Sequence, residues 1–274
     1  QTWSSLRAAA GQVRALDFDV GILLTNSFAS AFLFYLARIP QRWGYAADGR
    51  SVLLTKSVRL KDDVLRHQVD YYLDLLPGLG LRPFSRDIRV GLAPATKEAA
   101  RERLRSLGLN SGLRLVVLSP GASYGPAKRW PAFRFAELAG LLQKRKAAQI
   151  VIIGSPDEAE IAAAIARTTA PQPIVLTGQT TLPQLLGVIS QASLFISNDS
   201  GPMHLANALR VPVVGIFGPT NPGVTGPFEQ PSRVVKKDVP CWPCAYRICP
   251  YDHRCMLYIS AEHVYRDGEE LWPL

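Results

Sequence analysis

The chain has 274 residues, of which 47% are hydrophobic and 19% are charged. This length and balance exclude a disordered chain and allow two domains of ordinary size. The net charge of +9 favours an acidic partner, but the basic residues are scattered, so we do not predict a nucleic-acid site. No apolar run reaches the roughly 18 residues of a membrane-spanning helix.

The first hundred residues alternate between strand and helix patterns. Apolar runs predict strands at residues 19–24 and 42–45, with a short strand and loop within 51–58. Helical spacing predicts helices at 28–38, 67–76 and 95–107. This alternation favours a parallel α/β layer.

The second half repeats a strand, turn and helix series, and we place the linker between the halves near residues 107–113. The predicted strands are 113–118, 149–153, 173–176, 194–196 and 213–217. The predicted helices are 132–146, a segment that ends near 167, 182–191 and 204–209. In parallel sheets, ligands bind where strands end and helices begin, so the loops after these strands are the candidate site.

Two of these loops carry a charged residue suited to a nucleotide. The loop at residues 121–128 offers small residues, whose N–H groups can reach a phosphate, and ends in Lys128. The loop at 154–158 ends in Asp157 and Glu158, and a carboxylate there can accept both hydroxyls of a ribose. From residue types alone, Lys128 is a solvated surface cation and either carboxylate merely interacts with a helix dipole.

The third loop joins the strand at 194–196 to the next helix. Asp199, Ser200 and Gly201 suit a helix amino end that faces an anion, and glycine leaves room for a phosphate. His204 falls in the first turn of that helix. The alternatives are that Asp199 and Ser200 only cap the helix and that His204 packs against the sheet.

These segments resemble glycosyltransferase family 9, the ADP-heptose:lipopolysaccharide heptosyltransferases. The resemblance is carried by SNDSGPMHLANALRVPVVGIFGPTNP at residues 197–222 and by PGASYGPAKRWP at 120–131. It extends to FDVGILLTNSFASAFLFYLARIPQRWGY at 18–45 and HQVDYYLDLL at 67–76. The family pairs two small hydroxyl residues in the second of these strings, whereas this chain has Ala122 beside Ser123.

The resemblance implies an α/β fold of the GT-B type, with two facing Rossmann-like domains that contain parallel sheets. On this basis, residues 1–110 form an acceptor-side domain and residues 111–258 form the nucleotide-sugar domain. Residues 259–274 are then a tail or helix that packs back toward the amino-terminal domain.

The resemblance also implies the reaction, which is inverting transfer of L-glycero-D-manno-heptose from ADP-heptose to the heptose of the lipopolysaccharide inner core. No cofactor and no metal are expected. Lys128 and Asp199 are the expected catalytic residues, and Thr220 and Asn221 are expected to close the edge of the pocket. The expected donor-binding residues are Ser123, Lys128, Glu158 (with Asp157 as its rival), Asp199, Ser200, Gly201 and His204.

The family's general base is an aspartate in an amino-terminal strand and turn. Asp17 and Asp19 do not match that motif, so we expect this chain to lack the segment and assign it no base. The resemblance implies a cytoplasmic enzyme at the inner membrane. We expect anionic lipid to meet a basic face formed by Arg38, Arg42, Arg59 and Lys61.

Three alternatives remain open at the level of the sequence. The chain could be another GT-B transferase that uses a different nucleotide sugar. It could be a sugar-nucleotide 2-epimerase, which shares the architecture. It could also be a non-catalytic module that binds a nucleotide sugar.

Four cysteines lie within CWPCAYRICPYDHRC at residues 241–255. Their spacing is tighter than that of two separated CxxC pairs, and it does not match the bacterial iron–sulfur pattern. We rank packed thiols first, a structural zinc site second and disulfides third.

Overall fold

The computed structural model describes residues 3–60, 65–110 and 112–272. The chain divides into two units, Gln1–Asp87 and Ile88–Leu274, and each contains a parallel sheet. The predicted α/β class with parallel sheets is therefore confirmed. Lys61, which we assigned to a basic face, lies outside the described residues.

The first unit is built on the three-stranded parallel sheet β1-β2-β3, in which Val20 is in register with Gln41. Helix α2 begins at the predicted place because Ser27 caps it through the N–H of Ser30. The elements in chain order are α1 (Trp3–Arg14), β1 (Val20–Leu23), α2 (Phe28–Leu36), β2 (Gln41–Tyr45), a 3-10 turn (Arg50–Leu53), β3 (Lys56–Val58), α3 (Gln68–Leu73) and α4 (Leu75–Gly78).

The second unit is built on a six-stranded parallel sheet. Its elements begin with α5 (Pro94–Ser106), β4 (Leu115–Ser119), α6 (Ala132–Lys146), β5 (Gln149–Ile152), α7 (Ala159–Thr168), β6 (Ile174–Val175) and α8 (Leu182–Ile189). They continue with β7 (Leu194–Asn198), α9 (Gly201–Ala208), β8 (Val213–Phe217), α10 (Pro222–Thr225), β9 (Ser232–Lys236), α11 (Arg254–Leu257) and α12 (Ala261–Leu271). The strand order is β6-β5-β4-β7-β8-β9.

Helices cover both faces of this sheet, which is why strands β4, β7 and β8 are buried along their whole length. One face packs against α6, α7 and α12 through residues that include Phe135, Ile165 and Val264. The other packs against α5, α8 and α9 through residues that include Leu104 and Met203. The continuous apolar runs of the sequence thus become the central strands.

Two elements belong to the second unit although the sequence placed them elsewhere. Helix α5 precedes the predicted boundary at residue 110, but it packs on α8 of the second unit. Helix α12, which we expected to pack toward the amino-terminal domain, packs on α6, β8 and β9 of its own unit. Its contact side is apolar because Val264, Tyr265 and Leu271 are buried there.

The strand order creates a switch point between β4 and β7. The chain leaves β4 toward β5 and β6 on one side, whereas β7, β8 and β9 extend on the other. Ser119 at the end of β4 is in register with Ser197 near the end of β7. The loops after these two strands therefore begin side by side, at the place where open parallel sheets bind ligands.

Candidate active site

A cavity of about 360 Å³ lies at the carboxyl ends of β4, β5 and β7. Backbone and small side chains of the loops after these strands form much of its wall, and Leu182 and Leu185 of α8 add an apolar side. Three of the predicted donor-binding residues line it, namely Ser123, Glu158 and Ser200.

Glu158 is buried in the cavity wall, whereas its predicted rival Asp157 is exposed. Its carboxylate accepts a hydrogen bond from the N–H of Ser155 at 2.8 Å, which completes a capping box at the start of the turn before α7. Glu158 therefore has a structural role as a capping residue, which differs from the interaction with a helix dipole that its residue type suggested. It also presents a carboxylate to the cavity, so the capping role is compatible with a role in binding.

Two glycines make room for that carboxylate. A Cβ on Gly121 would lie 1.8 Å from Oε1 of Glu158, and a Cβ on Gly154 would lie 2.7 Å from Oε2. Any side chain at Gly121 would thus displace the carboxylate. The absence of a Cβ at these positions is what allows Glu158 to lie between the loops after β4 and β5.

Lys128 and Asp199 form a buried ion pair beside the cavity, with 2.5 Å between Nζ and Oδ2. The same oxygen accepts hydrogen bonds from the hydroxyls of Thr220 at 2.7 Å and Thr225 at 3.3 Å. Lys128 is only 9% exposed, so it is not the solvated cation that its residue type suggests. Nζ also lies 4.8 Å from the ring centre of Tyr124.

The amino end of α9 has no side-chain cap. Ser200 is the N-cap residue, but its hydroxyl lies 3.0 Å from the hydroxyl of Ser197 and makes no capping bond. The carboxylate of Asp199 is engaged by the lysine and the two threonines. Neither side chain therefore caps the helix through a hydrogen bond, and the end of the helix faces the cavity through Ser200 and Pro202.

The remaining predicted residues lie around the cavity without lining it. Gly201 is exposed, and His204 is half-buried in the first turn of α9. Thr220 is drawn to Asp199 as described. Asn221 caps α10 by accepting the N–H of Gly223 at 2.8 Å, and it is not among the residues that line the cavity.

Two residues near the site were missed from the sequence. Thr225, in the last turn of α10, carried no signal because its contact with Asp199 spans 26 residues. Asn198 was given no role in the predicted site, yet it is fully buried at the end of β7. A polar residue that ends an apolar strand was the available signal, since a buried amide must find partners.

The four cysteines are free thiols that line one small cavity beside the Lys128 loop. Cys255 is buried, and burial together with the neighbouring thiols of Cys249, Cys241 and Cys244 raises its pKa to about 11. Within residues 3–60, 65–110 and 112–272, no group of three His, Cys, Asp or Glu side chains has an arrangement that could hold a metal ion. Across those same residues, every helix is too short or too polar to cross a bilayer.

Solved structures of known proteins share this fold. The E. coli ADP-heptose LPS heptosyltransferase II aligns with a TM-score of 0.81 and 26% identity, over 98% of this chain and 81% of that one. A glycosyltransferase family 9 protein from Veillonella parvula aligns with a TM-score of 0.81 and 27% identity, over 98% of this chain and 78% of that one. The fold is therefore that of a GT-B glycosyltransferase.

Sequence comparison gives the family. The model of glycosyltransferase family 9 (heptosyltransferase) matches residues 6–254. Lipopolysaccharide heptosyltransferase 2 of Salmonella typhimurium is 32% identical over 238 residues, which are 84% of this chain and 68% of that protein. Lipooligosaccharide heptosyltransferase 2 of Campylobacter jejuni (serotype O:6) is 29% identical over 97% of this chain and 78% of its own length. The chain belongs to glycosyltransferase family 9.

Proposed function

We propose that this chain transfers L-glycero-D-manno-heptose from ADP-heptose to the heptose of the lipopolysaccharide inner core, with inversion at the anomeric carbon. One observation carries the proposal. A cavity with a buried carboxylate, Glu158, lies beside the buried Lys128–Asp199 pair at the switch point of a parallel sheet. The relatives named as heptosyltransferases support the choice of sugar and acceptor.

In the proposed complex the donor lies along the cavity. The ribose hydroxyls bind the free side of the Glu158 carboxylate, and the adenine ring lies against the apolar wall that Leu182 and Leu185 contribute. Ser123 and the loop N–H groups contact the phosphates. The diphosphate then points toward Lys128 and the uncapped end of α9, which both favour negative charge.

The proposed reaction needs stabilisation of one developing charge. An acceptor hydroxyl attacks the anomeric carbon of heptose as the bond from that carbon to the diphosphate oxygen breaks, and the electron pair leaves with ADP. The hydroxyl proton passes to a base that we do not assign to this chain. Lys128 neutralises the departing diphosphate, and Asp199 holds Lys128 in place until the donor arrives.

Contact with an anionic membrane surface is part of the proposal, but the structure changes which of the predicted basic residues we assign to that contact. Arg42 is engaged within the first unit, because its guanidinium donates to the carbonyl oxygens of Leu53 at 2.7 Å and Ile39 at 2.6 Å. Arg38 and Arg59 are exposed and can meet lipid phosphate. We therefore assign the lipid contact to these two arginines rather than to Arg42.

Calorimetric titration of the full chain with ADP, ADP-heptose, UDP and GDP tests the donor site. We expect the two adenine nucleotides to bind more tightly than the others. Lys128→Met should weaken ADP binding at least about tenfold, a loss of ~1.4 kcal/mol. Exposed Lys144 of α6 provides the matched control, and Lys144→Met should leave the affinity unchanged.

The carboxylates after β5 are tested in the same titrations. Glu158→Gln keeps an oxygen for Ser155 but removes the charge, and it should weaken ADP binding, whereas exposed Asp157→Asn should not. A preference for UDP or GDP would favour the alternative of a different nucleotide sugar. A chain that binds no nucleotide would contradict the proposed function.

A further inference from the structure

One buried side-chain amide ties together both ends of the loop that carries Lys128. Asn198 ends β7 and has no exposed surface. Its Nδ2 donates to the carbonyl oxygens of Pro120 at 2.7 Å and Gly121 at 3.3 Å, where the loop begins. Its Oδ1 accepts the N–H of Trp130 at 3.0 Å, where the loop ends.

An amide is the side chain that fits this place. It offers two donors and an acceptor on one planar group, so it can satisfy two carbonyls and one N–H at once. A carboxylate could still accept from Trp130, but it has no proton for the carbonyl oxygens of Pro120 and Gly121. An aliphatic side chain would leave all three buried backbone groups without this partner.

The neighbouring residue holds the same loop by a different contact. Asp199 binds the Lys128 ammonium directly, whereas Asn198 binds only the backbone at residues 120, 121 and 130. The middle of the loop is fixed from another side, because the N–H of Ala127 donates to the carbonyl oxygen of Arg247 at 3.0 Å. Asn198 thus fixes where the loop starts and stops, and the charged end of Lys128 is placed relative to those points.

We propose that Asn198 is a positioning residue that sets the Lys128 loop for the donor diphosphate through its hydrogen bonds to Pro120, Gly121 and Trp130. This inference rests on the proposed function, since it takes the diphosphate as the ligand of the loop. It makes a specific demand on binding. Loss of the amide should weaken the contact with the second phosphate and leave the contacts of the nucleoside, which lie along the Glu158 side of the cavity, in place.

The test compares ADP with AMP on the full chain. We expect Asn198→Asp and Asn198→Ala to weaken ADP binding about tenfold while AMP binding changes less than twofold, so that the ratio of the two dissociation constants falls. The matched control is Asn207→Ala. Asn207 is also buried in the same unit, and its amide exchanges two hydrogen bonds with the backbone of Glu229, which does not line the cavity.

Folding and coupling are read from the same variants. Urea denaturation shows which variants remain folded, and Asn207→Ala should lose a similar amount of stability without a change in the ADP to AMP ratio. If Asn198 acts through Lys128, the double variant Lys128→Met with Asn198→Ala should bind ADP no more weakly than Lys128→Met alone, within about twofold.

The outcomes separate the two proposals. If the wild-type chain prefers ADP to UDP and GDP but the Asn198 variants keep the wild-type ratio of the ADP and AMP dissociation constants, the positioning role alone is overturned. Additive losses in the double variant overturn it as well, because they show an effect independent of Lys128. If the wild-type chain shows no preference for ADP over UDP and GDP, the proposed function is overturned and this inference with it.

Discussion

The buried ion pair of Lys128 and Asp199 limits how variants of either residue can be interpreted. The charges of Lys128 and Asp199 are paired with each other, and the hydroxyls of Thr220 and Thr225 also donate to the carboxylate. Removal of either charge alone leaves the other buried and unpaired, which typically destabilises a protein by about 3–5 kcal/mol. The effect of Lys128→Met on binding must therefore be measured on chains shown to be folded.

Gly201 provides a residue-scale test of anion binding at α9. A Cβ at this position would meet nothing within 4 Å, so Gly201→Ala should fold with unchanged or slightly higher stability. If a phosphate approaches the backbone there, the added methyl group should weaken ADP binding about tenfold. Calorimetry and urea denaturation measure the two effects separately.

The matched control for this change is Gly140→Ala in α6, where a Cβ also meets nothing within 4 Å. It should alter neither the affinity for ADP nor the fold. An unchanged ADP affinity in Gly201→Ala would show that the phosphates do not approach this end of the helix.

The raised pKa of Cys255 predicts its reactivity. Burial and the nearby thiols favour the neutral form up to about pH 11, and only the thiolate is nucleophilic. We expect iodoacetamide to modify Cys255 slowly at pH 8, with a rate that rises about tenfold per pH unit toward pH 11. Mass spectrometry of peptides after timed quenching measures this rate.

The urea-unfolded chain provides the reference for Cys255. There the rate should level off near the ordinary thiol pKa of ~8.5. A folded-state rate that levels off at the same pH would contradict the effect of burial and of the surrounding thiols.

At the scale of elements, α5 shows why the predicted boundary differs from the observed division. We placed the domain boundary after this helix, at residue 110, but Ala100 and Leu104 form a buried stripe against α8. The approach is close because a Cβ on Gly187 of α8 would lie 2.9 Å from the Cβ of Ala100. Since α8 also supplies Leu182 and Leu185 to the cavity, α5 supports the site from outside.

Truncation of the buried residue in α5 tests this support. Leu104→Ala should lower the free energy of unfolding by about 2–5 kcal/mol, because it removes a fully buried side chain and leaves a cavity. Exposed Glu102 on the same helix is the control, and Glu102→Ala should change stability by less than about 0.5 kcal/mol. Equal losses in urea denaturation would mean that α5 does not pack on the second unit.

The sequence predicted the central elements well because their patterns are local. The run at residues 213–217 is β8 and the helix at 132–146 is α6, with the predicted bounds. Strand β9 was missed because Ser232–Lys236 mixes polar and apolar residues, as suits the edge of a sheet. Helix α9 begins three residues earlier than predicted, at Gly201, because Pro202 was left outside the predicted helix although proline suits the first turn of a helix.

The candidate site was predicted only in part for a related reason. Strand ends located the loops of Lys128, Glu158 and Asp199, because carboxyl ends of parallel strands meet at one edge. Lys128 and Asp199 are 71 positions apart, and they meet only because β4 lies beside β7. A local sequence pattern does not indicate this strand order. The hydrogen bond from Thr225 to Asp199 and the hydrogen bonds of the Asn198 side chain to the Lys128 loop depend on the same strand order.

At the scale of the whole molecule, the net charge of +9 has a testable consequence. Each basic residue near an anionic surface contributes about 1 kcal/mol of attraction, and the contribution falls within a Debye length. We expect the full chain to sediment with vesicles of phosphatidylglycerol and phosphatidylcholine at about 50 mM salt and to be released near 300 mM, where the Debye length is shorter.

Variants of Arg38 and Arg59 test whether the attraction to the vesicles comes from one surface of the first unit or from the net charge of the whole chain. The double variant Arg38→Gln with Arg59→Gln should weaken binding to these vesicles several-fold, because both side chains are exposed. Exposed Arg167 and Lys144 of the second unit, replaced together by glutamine, remove the same net charge from other positions. Equal losses in the two double variants would show that net charge alone drives binding, and binding that does not respond to salt would contradict an electrostatic contact altogether.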